Sequence, residues 1–372
     1  MSIKFCFYIA LFLLFGTVPL QAALNVAVIA PRAGALKVFG DELVDGVRIA
    51  VDEINNNGGL GGEKVNLLVV DDQCDDRFAV STAQMMAVNS SPADKVNAVI
   101  GPYCENAFKQ AAEIYAKAGI FQIIPQTVSR KNADVFYGGL LKMSGVRERQ
   151  IDDFYSFYAA HYDDKIVAVV YDGRDDNSMD LAAETLDKFR QQGRSASVKD
   201  FNFATYNKDY ARMAGDIIRS DARVALIFGQ SKEIIRLAEN LKETNKNFVV
   251  FVNRYQTDGA YAAELGRDAE GSYQIALPSL KDNPAFTETL VKLRILGQEP
   301  EGLGVYGYSA VRLWEDLVKK SEALTYEGWS KTAAEESFEA PWGMLRFERG
   351  NPENSVNYGI YRFQNGEYTQ VY

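Results

Sequence analysis

The side chains able to do chemistry in this 372-residue chain are carboxylates, amides and hydroxyls that follow short apolar runs. Asp172, Asp176 and Asn177 come after Ile166 to Tyr171, Gln230 and Ser231 after Val224 to Phe228, and Tyr255 after Phe248 to Val252. Loops at the carboxyl ends of parallel strands converge on a crevice, so residues in these places can touch one solute. They offer hydrogen bonds and apolar contact, and no activated nucleophile. His161 is the only histidine, and no G-x-S-x-G elbow, H-E-x-x-H pair or Cys/His/Asp set accompanies it. It stands between a helix and a strand, where a surface or capping role is expected. Two acids facing each other across a cleft could still hydrolyse a glycoside, so a carboxylate-based hydrolase is kept as the least favoured alternative.

Two further clusters have suggestive composition and the wrong pattern. Asp71-Asp72-Gln73-Cys74-Asp75-Asp76 lacks the turn glycine and terminal glutamate of a calcium loop, and reads as a solvated turn with no metal. Gly58-Gly59-Leu60-Gly61-Gly62 follows a helix and precedes a strand, the reverse of the context in which glycines cradle a dinucleotide. No cofactor is expected.

The elements that must position the candidates repeat one pattern. Leu24 to Ala30, Val65 to Val70, Val96 to Ile100 and Phe121 to Ile124 are nearly continuously apolar, as strands covered on both faces are. Val44, Val47, Val51 and Ile54 recur at helical spacing, as do Ala111, Ile114, Tyr115 and Ala118, and Asn57-Gly58-Gly59 supplies a helix stop. A second series starts near Ser144. Its strands are expected at Ile166 to Tyr171, Val198 to Phe203, Val224 to Phe228 and Phe248 to Val252, with helices around Leu181 to Phe189, Tyr210 to Ile218 and Glu233 to Leu241. The tail adds a strand at Tyr273 to Leu277, helices around Phe286 to Leu296 and Ser309 to Lys320, and β-like segments at Met344 to Phe347 and Asn357 to Phe363. The fold class is therefore α/β, with two parallel sheets clothed in helices. The tail is too short for a third large domain and must complete the existing layers.

The first residues carry one base, Lys4, then the apolar stretch Phe5 to Phe15, then Gly16, Thr17, Pro19, Ala22 and Ala23. This reads as a secretory signal peptide over residues 1–22, too short for a membrane span. Export to the periplasm of a Gram-negative cell, or general secretion, follows. About 350 residues remain, enough for two domains. Cys6 leaves with the signal, so Cys74 and Cys104 are the two cysteines able to pair in an oxidising compartment. A net charge of -10, with no basic run interleaved with aromatics, excludes nucleic acid as a partner.

PRAGALKVFGDELVDGVRIAVDEINNNGGLGG, VNLLVVDDQCDD, AVIGPYCENAFKQAAEIYAKAGI and YGYSA occur in that order, with Cys74 and Cys104 inside the second and third. This ordered set closely resembles the leucine/isoleucine/valine-binding protein family of bacterial solute receptors. The resemblance implies a type I periplasmic binding fold of two Rossmann-like lobes joined by a three-strand hinge, a Cys74–Cys104 bridge, a monomer, and delivery of solute to an ABC permease complex in the inner membrane. Crossings near Met143 to Val146, Val252 to Thr257 and Ser337 to Gly343 would divide the chain into 23–143 plus 256–337 and 144–255 plus 338–372.

The pocket departs from the family pattern. Members that bind α-amino acids place serine directly after the second cysteine, and alanine or serine plus threonine after the following strand. Glu105, Gln126 and Val128 stand there, with Thr127 displaced by one position; Ala33 replaces a serine, and Asp176 or Asn177 lies nearest the place of a tyrosine. Hydroxyls and N–H groups at a helix N-terminus can hold a carboxylate, whereas Glu105 would repel one unless a proton or a basic partner offsets it. A small polar or amino-acid-like solute with a cationic, amide or hydroxyl group is expected. Glu105 is equally a candidate helix cap, and Phe39, early in the first long helix, could cover the solute or pack in the core. A sensing protein coupled to a signalling or dehydrogenase system is the alternative endpoint; an enzyme is not expected.

Overall fold

In the computed structural model the described residues are 24–34, 36–88, 94–254, 260–278, 284–296, 302–354 and 356–372, without the side chains of 106, 107 and 285. The signal segment and Tyr255 lie outside them. β1 (Leu24–Ile29), β2 (Val65–Val70), β3 (Val96–Ile100), β4 (Phe121–Ile124) and β5 (Leu140–Lys142) form a parallel sheet in the order β2-β1-β3-β4-β5. Successive side chains point to opposite faces, so Val26 and Val28 of β1 meet α1 (Lys37–Asn56), while Ala27 and Ile29 meet α2 (Asp76–Ala87) and α3 (Glu105–Ala118). The short α4 (Arg130–Ala133) follows β4. Sequence reading treats β2 as buried throughout; as an edge strand it leaves Leu68 and Val69 exposed instead.

The second sheet contains β6 (Ile166–Tyr171), β7 (Val198–Asn202), β8 (Ala222–Phe228), β9 (Val249–Asn253) and β10 (Tyr273–Ala276), parallel to one another. α5 (Arg149–His161) and α6 (Asp176–Gln191) cover one face; α8 (Tyr210–Arg219) and α9 (Ser231–Thr244) cover the other, flanked by the short α7 (Phe203–Tyr206) and α10 (Tyr261–Leu265). In the tail, α11 (Thr287–Ile295), α12 (Gly304–Lys320) and α13 (Tyr326–Glu335) pack into the first core. Two small hairpins follow, β11 (Phe338–Ala340) with β12 (Gly343–Leu345) and β13 (Phe347–Glu348) with β14 (Asn351–Pro352). β15 (Gly359–Gln364) and β16 (Glu367–Gln370) then extend the second sheet antiparallel beyond β10.

This pairing corrects two of the three expected crossings. The chain leaves the first sheet after β5 and enters the second core with α5, near residues 143–146. It does not return near 252–257, because β10 continues the second sheet beside β9; Leu277 still belongs to the second core, and Phe286 is the next residue packed on the first. Nor does it leave again near 337–343: Phe338, Leu345 and Phe347 remain in the first core, and beyond Phe347 the chain next joins the second core at Val356 and Tyr358. Apolar periodicity finds strands but is silent about which sheet hosts them. Between the two cores Trp342 touches both and stacks on Tyr306, with ring centroids 4.8 Å apart.

At the end of β5, Lys142 is fully buried and its Nζ donates to the carbonyls of Ala133 and Val135, each at 2.7 Å. Burial is the main reason its pKa falls from 10.5 to about 8, Arg349 adding to the effect against Asp134. Between those values the unfolded chain holds a proton there that the folded chain lacks, so this group makes stability rise with pH, by about 3 kcal/mol over the interval. Urea unfolding of the parent and of Lys142→Met at pH 7.5 and 10.5 is expected to show that gain in the parent alone; equal pH dependence would refute it.

Candidate functional site

The carboxyl ends of the first sheet are tied together locally. Cys74 and Cys104 are bonded, with Cα atoms 5.3 Å apart, linking the turn before α2 to the residue that caps α3. The acidic turn is only partly the solvated one expected: Asp75 caps α2 through Arg77 N–H, but Asp72 is fully buried and accepts from Cys74 N–H. Closing a loop of 30-residue separation stabilises by about 3 to 4 kcal/mol. The double replacement Cys74→Ser/Cys104→Ser is expected to lose about that much in chemical denaturation; a loss under about 1 kcal/mol would contradict the chain-entropy account.

Glu105, the first residue of α3, does not cap its own helix. Its carboxylate accepts from the Ser129 backbone N–H, from Asn132 Nδ2 at 2.9 Å and from Arg147 Nη1 at 2.6 Å. Burial alone would raise its pKa, but the Arg147 charge and the Ser129 and Asn132 donors outweigh it and hold the group below its ordinary range. The repulsion of a solute carboxylate expected from Glu105 is thus offset by a basic partner, Arg147, on the segment between β5 and α5. Arg147 in turn places Nη2 3.9 Å from Glu148, whose other oxygen accepts from Arg130 N–H at 2.9 Å.

Gln126 is tied within its own lobe by its amide nitrogen: Nε2 donates to the carbonyls of Pro102 at 2.9 Å and Tyr103 at 2.7 Å. Thr127 reaches the other lobe, its hydroxyl 3.1 Å from that of Tyr358, which precedes β15. Phe39 is buried and stacks on Tyr103 with centroids 6.0 Å apart, the core-packing option.

In the second lobe, Asp172 is fully buried. It accepts from the backbone N–H and guanidinium of Arg174, which also binds Glu233 at 2.7 Å. Burial opposes ionisation here too, and Arg174 overcomes it, lowering the Asp172 pKa. Asp172 therefore shapes its loop. Asp176 and Asn177 are exposed in the first turn of α6, whose cap is Asp175 through Ser178 N–H, and Gln230 is exposed at the start of α9. His161 ends α5, exposed and against Phe157.

The lobes meet where these loops face one another. Arg130 and Lys131 of α4 pair with Glu184 at 2.8 Å and Asp180 at 2.9 Å on α6, and Asp176 adds to the field on Lys131. All four side chains are substantially exposed, so each pair is worth less than about 1 kcal/mol. The structure thus brings Glu105, Thr127 and the Asp176 end of α6 to one interlobe junction. Arg147, Tyr358 and the α4 cations are the members that sequence reading missed. The run Arg147-Glu148-Arg149 directly after a predicted crossing was the available signal for the first of them.

A family profile described as periplasmic binding protein matches residues 23–367. The chain belongs to the periplasmic binding protein family. Among its relatives, a Leu/Ile/Val-binding protein homolog 1 of Brucella melitensis is 24% identical over 338 residues, 90% of this chain and 89% of the relative. An amino acid binding protein of Pseudomonas aeruginosa is 28% identical over 300 residues, covering 77% and 76%. Among solved structures, a leucine binding protein from Thermotoga maritima superposes with a TM-score of 0.77 at 19% identity, covering 94% of this chain and 98% of that one. A solute binding protein from R. palustris, in complex with benzoate, gives 0.75 at 17%, covering 94% and 96%. Periplasmic binding proteins of this type bind solutes and are not enzymes, and the signal segment and the Cys74–Cys104 bond fit that family. Among the described residues no helix is long and apolar enough to cross a membrane.

Proposed function

We propose that this protein is a periplasmic solute receptor that captures a small polar or amino-acid-like molecule between its lobes and hands it to an ABC importer. The observation that carries the reading is the junction itself: strand-end loops of two separate sheets meet through α4–α6 and Thr127–Tyr358, on elements whose connections cross between the cores. Residues 24–143 with 286–347 form one lobe and residues 146–277 with 356–372 the other. Weak, exposed pairs across the junction suit a closure that must reverse. A solute shifts the open–closed balance only by binding the closed form better, so groups from both lobes must contact it. The leucine, isoleucine and benzoate named for solved neighbours are all small carboxylates, which agrees with a junction where Glu105 is already neutralised. The mature receptor acts as a monomer and presents both lobes to the permease.

Small-angle scattering of the mature protein, stripped of solute by unfolding and refolding, tests this. Addition of the solute identified by mass spectrometry in the native preparation is expected to reduce the radius of gyration in a saturable way. An unchanged radius at saturation rejects capture by closure.

A further inference from the structure

The guanidinium of Arg147 has more to bind than its carboxylate neighbour supplies. Nη1 is satisfied by Glu105 Oε2 at 2.6 Å, but Nε and Nη2 are sealed from solvent and have no hydrogen-bond acceptor; Glu148, at 3.9 Å from Nη2, is beyond hydrogen-bond reach. Donors on a cation withdrawn from water almost always have an acceptor. A second unfilled atom sits on the neighbouring loop: Oε1 of Gln126 is likewise sealed and without a donor, while Nε2 of the same amide is doubly used. Thr127, the next residue, touches Tyr358 of the other lobe, and the hydroxyl of Tyr358 lies within the field of Arg147. Arg147 and Gln126 thus both stand beside the Thr127–Tyr358 contact between the lobes.

We infer that Arg147 is the specificity-determining residue of the cleft, its Nε–H and Nη2–H donating to the two oxygens of a solute carboxylate while Gln126 Oε1 accepts from an N–H donor on the same solute. The inference rests on the receptor reading and adds the residue that reads the solute: a fork on Arg147 that selects an acid over its neutral amide. A guanidinium presents its donors in a planar fork that a carboxylate matches with two parallel bonds. Glu105 serves as the positioning residue. Its three accepted bonds hold it between α3 and α4, and its one bond to Nη1 fixes the plane of the fork. Filling the open edge of the guanidinium with an acceptor leaves none of its donors stranded.

The test compares acids with their neutral carboxamides by calorimetric titration of stripped wild-type protein, using the twenty common L-amino acids and their amides as probes. At least one acid is expected to bind, with its amide weaker by about 30-fold or more, an order set by loss of a charge-assisted pair. In Arg147→Gln/Glu105→Gln, which exchanges the ion pair for an amide pair, the acid–amide gap is expected to shrink below about 3-fold. Circular dichroism melting confirms that the double variant is folded; if it is not, the wild-type gap alone decides. A gap that is absent in wild type, or that persists in the folded variant, overturns the role of Arg147. So does a mass-identified native solute without an acidic group, which would leave the receptor reading standing. Failure of every solute, acidic or neutral, to bind or to compact the protein would instead sink the receptor reading itself.

Discussion

Gly46→Val is expected to abolish accumulation of folded protein. Gly46 lies in α1 where that helix crosses α12, and a Cβ added there would sit 1.8 Å from the carbonyl oxygen of Gly304. Both groups are backbone within helices, so no side chain can swing aside; the helices must separate. Separation would open the core around Val47, Val305 and Trp314, all fully buried. Overpacking usually costs about 1–3 kcal/mol, but a backbone collision that also unzips a helix pair belongs in the tail above about 4 kcal/mol. Gly215→Ala provides the contrast. It is also helical, but a Cβ there meets only the flexible tip of Arg219 at 3.1 Å, and replacing glycine by alanine in a helix should gain about 0.4–1 kcal/mol. Soluble yield and urea midpoints of the two variants check both signs. Equal midpoints would show that α1 and α12 yield more easily than their contact implies.

Glu105→Ala is expected to destabilise the protein by about 3 to 5 kcal/mol, because it strands Arg147 as a largely buried cation. The loss should exceed that of Glu105→Gln, which still accepts from Ser129 N–H and Asn132. The pH dependence distinguishes this from simple loss of packing. Glu105 ionises more readily folded than unfolded, so its contribution is complete above its unfolded pKa, near the ordinary 4.5, and is lost as pH falls through the lower folded value. Chemical denaturation between pH 3 and 7 should therefore show a smaller parent-to-alanine difference at the acid end. A difference independent of pH would assign the cost to packing alone.

Most of the architecture was legible because burial on both faces of a sheet leaves an unambiguous trace. Val96–Ile100, Phe121–Ile124 and Ile166–Tyr171 occupy the strands expected of them, and Val65–Val70 is a strand as expected although its edge position leaves part of it exposed. Leu140–Lys142 was missed because three residues ending in lysine carry no periodic signal, although that lysine is satisfied by carbonyls and fully inside. The crossings were misplaced because Tyr273–Ala276 looks the same whichever sheet accepts it. At the site, the spacing to Cys104 singled out Glu105 but not its partner. An arginine 42 residues further on becomes its neighbour only through the fold. Asp172, chosen for its position after β6, proved to be held by Arg174 two residues away, a local pairing that resembles a binding residue in the sequence alone.

The indole of Trp342, seated against both cores and stacked on Tyr306, gives the molecule a built-in optical reporter. The other two tryptophans, Trp314 and Trp329, are shut inside the first core and should stay silent when the lobes swing. Intrinsic emission would then follow loading in real time, without a dye.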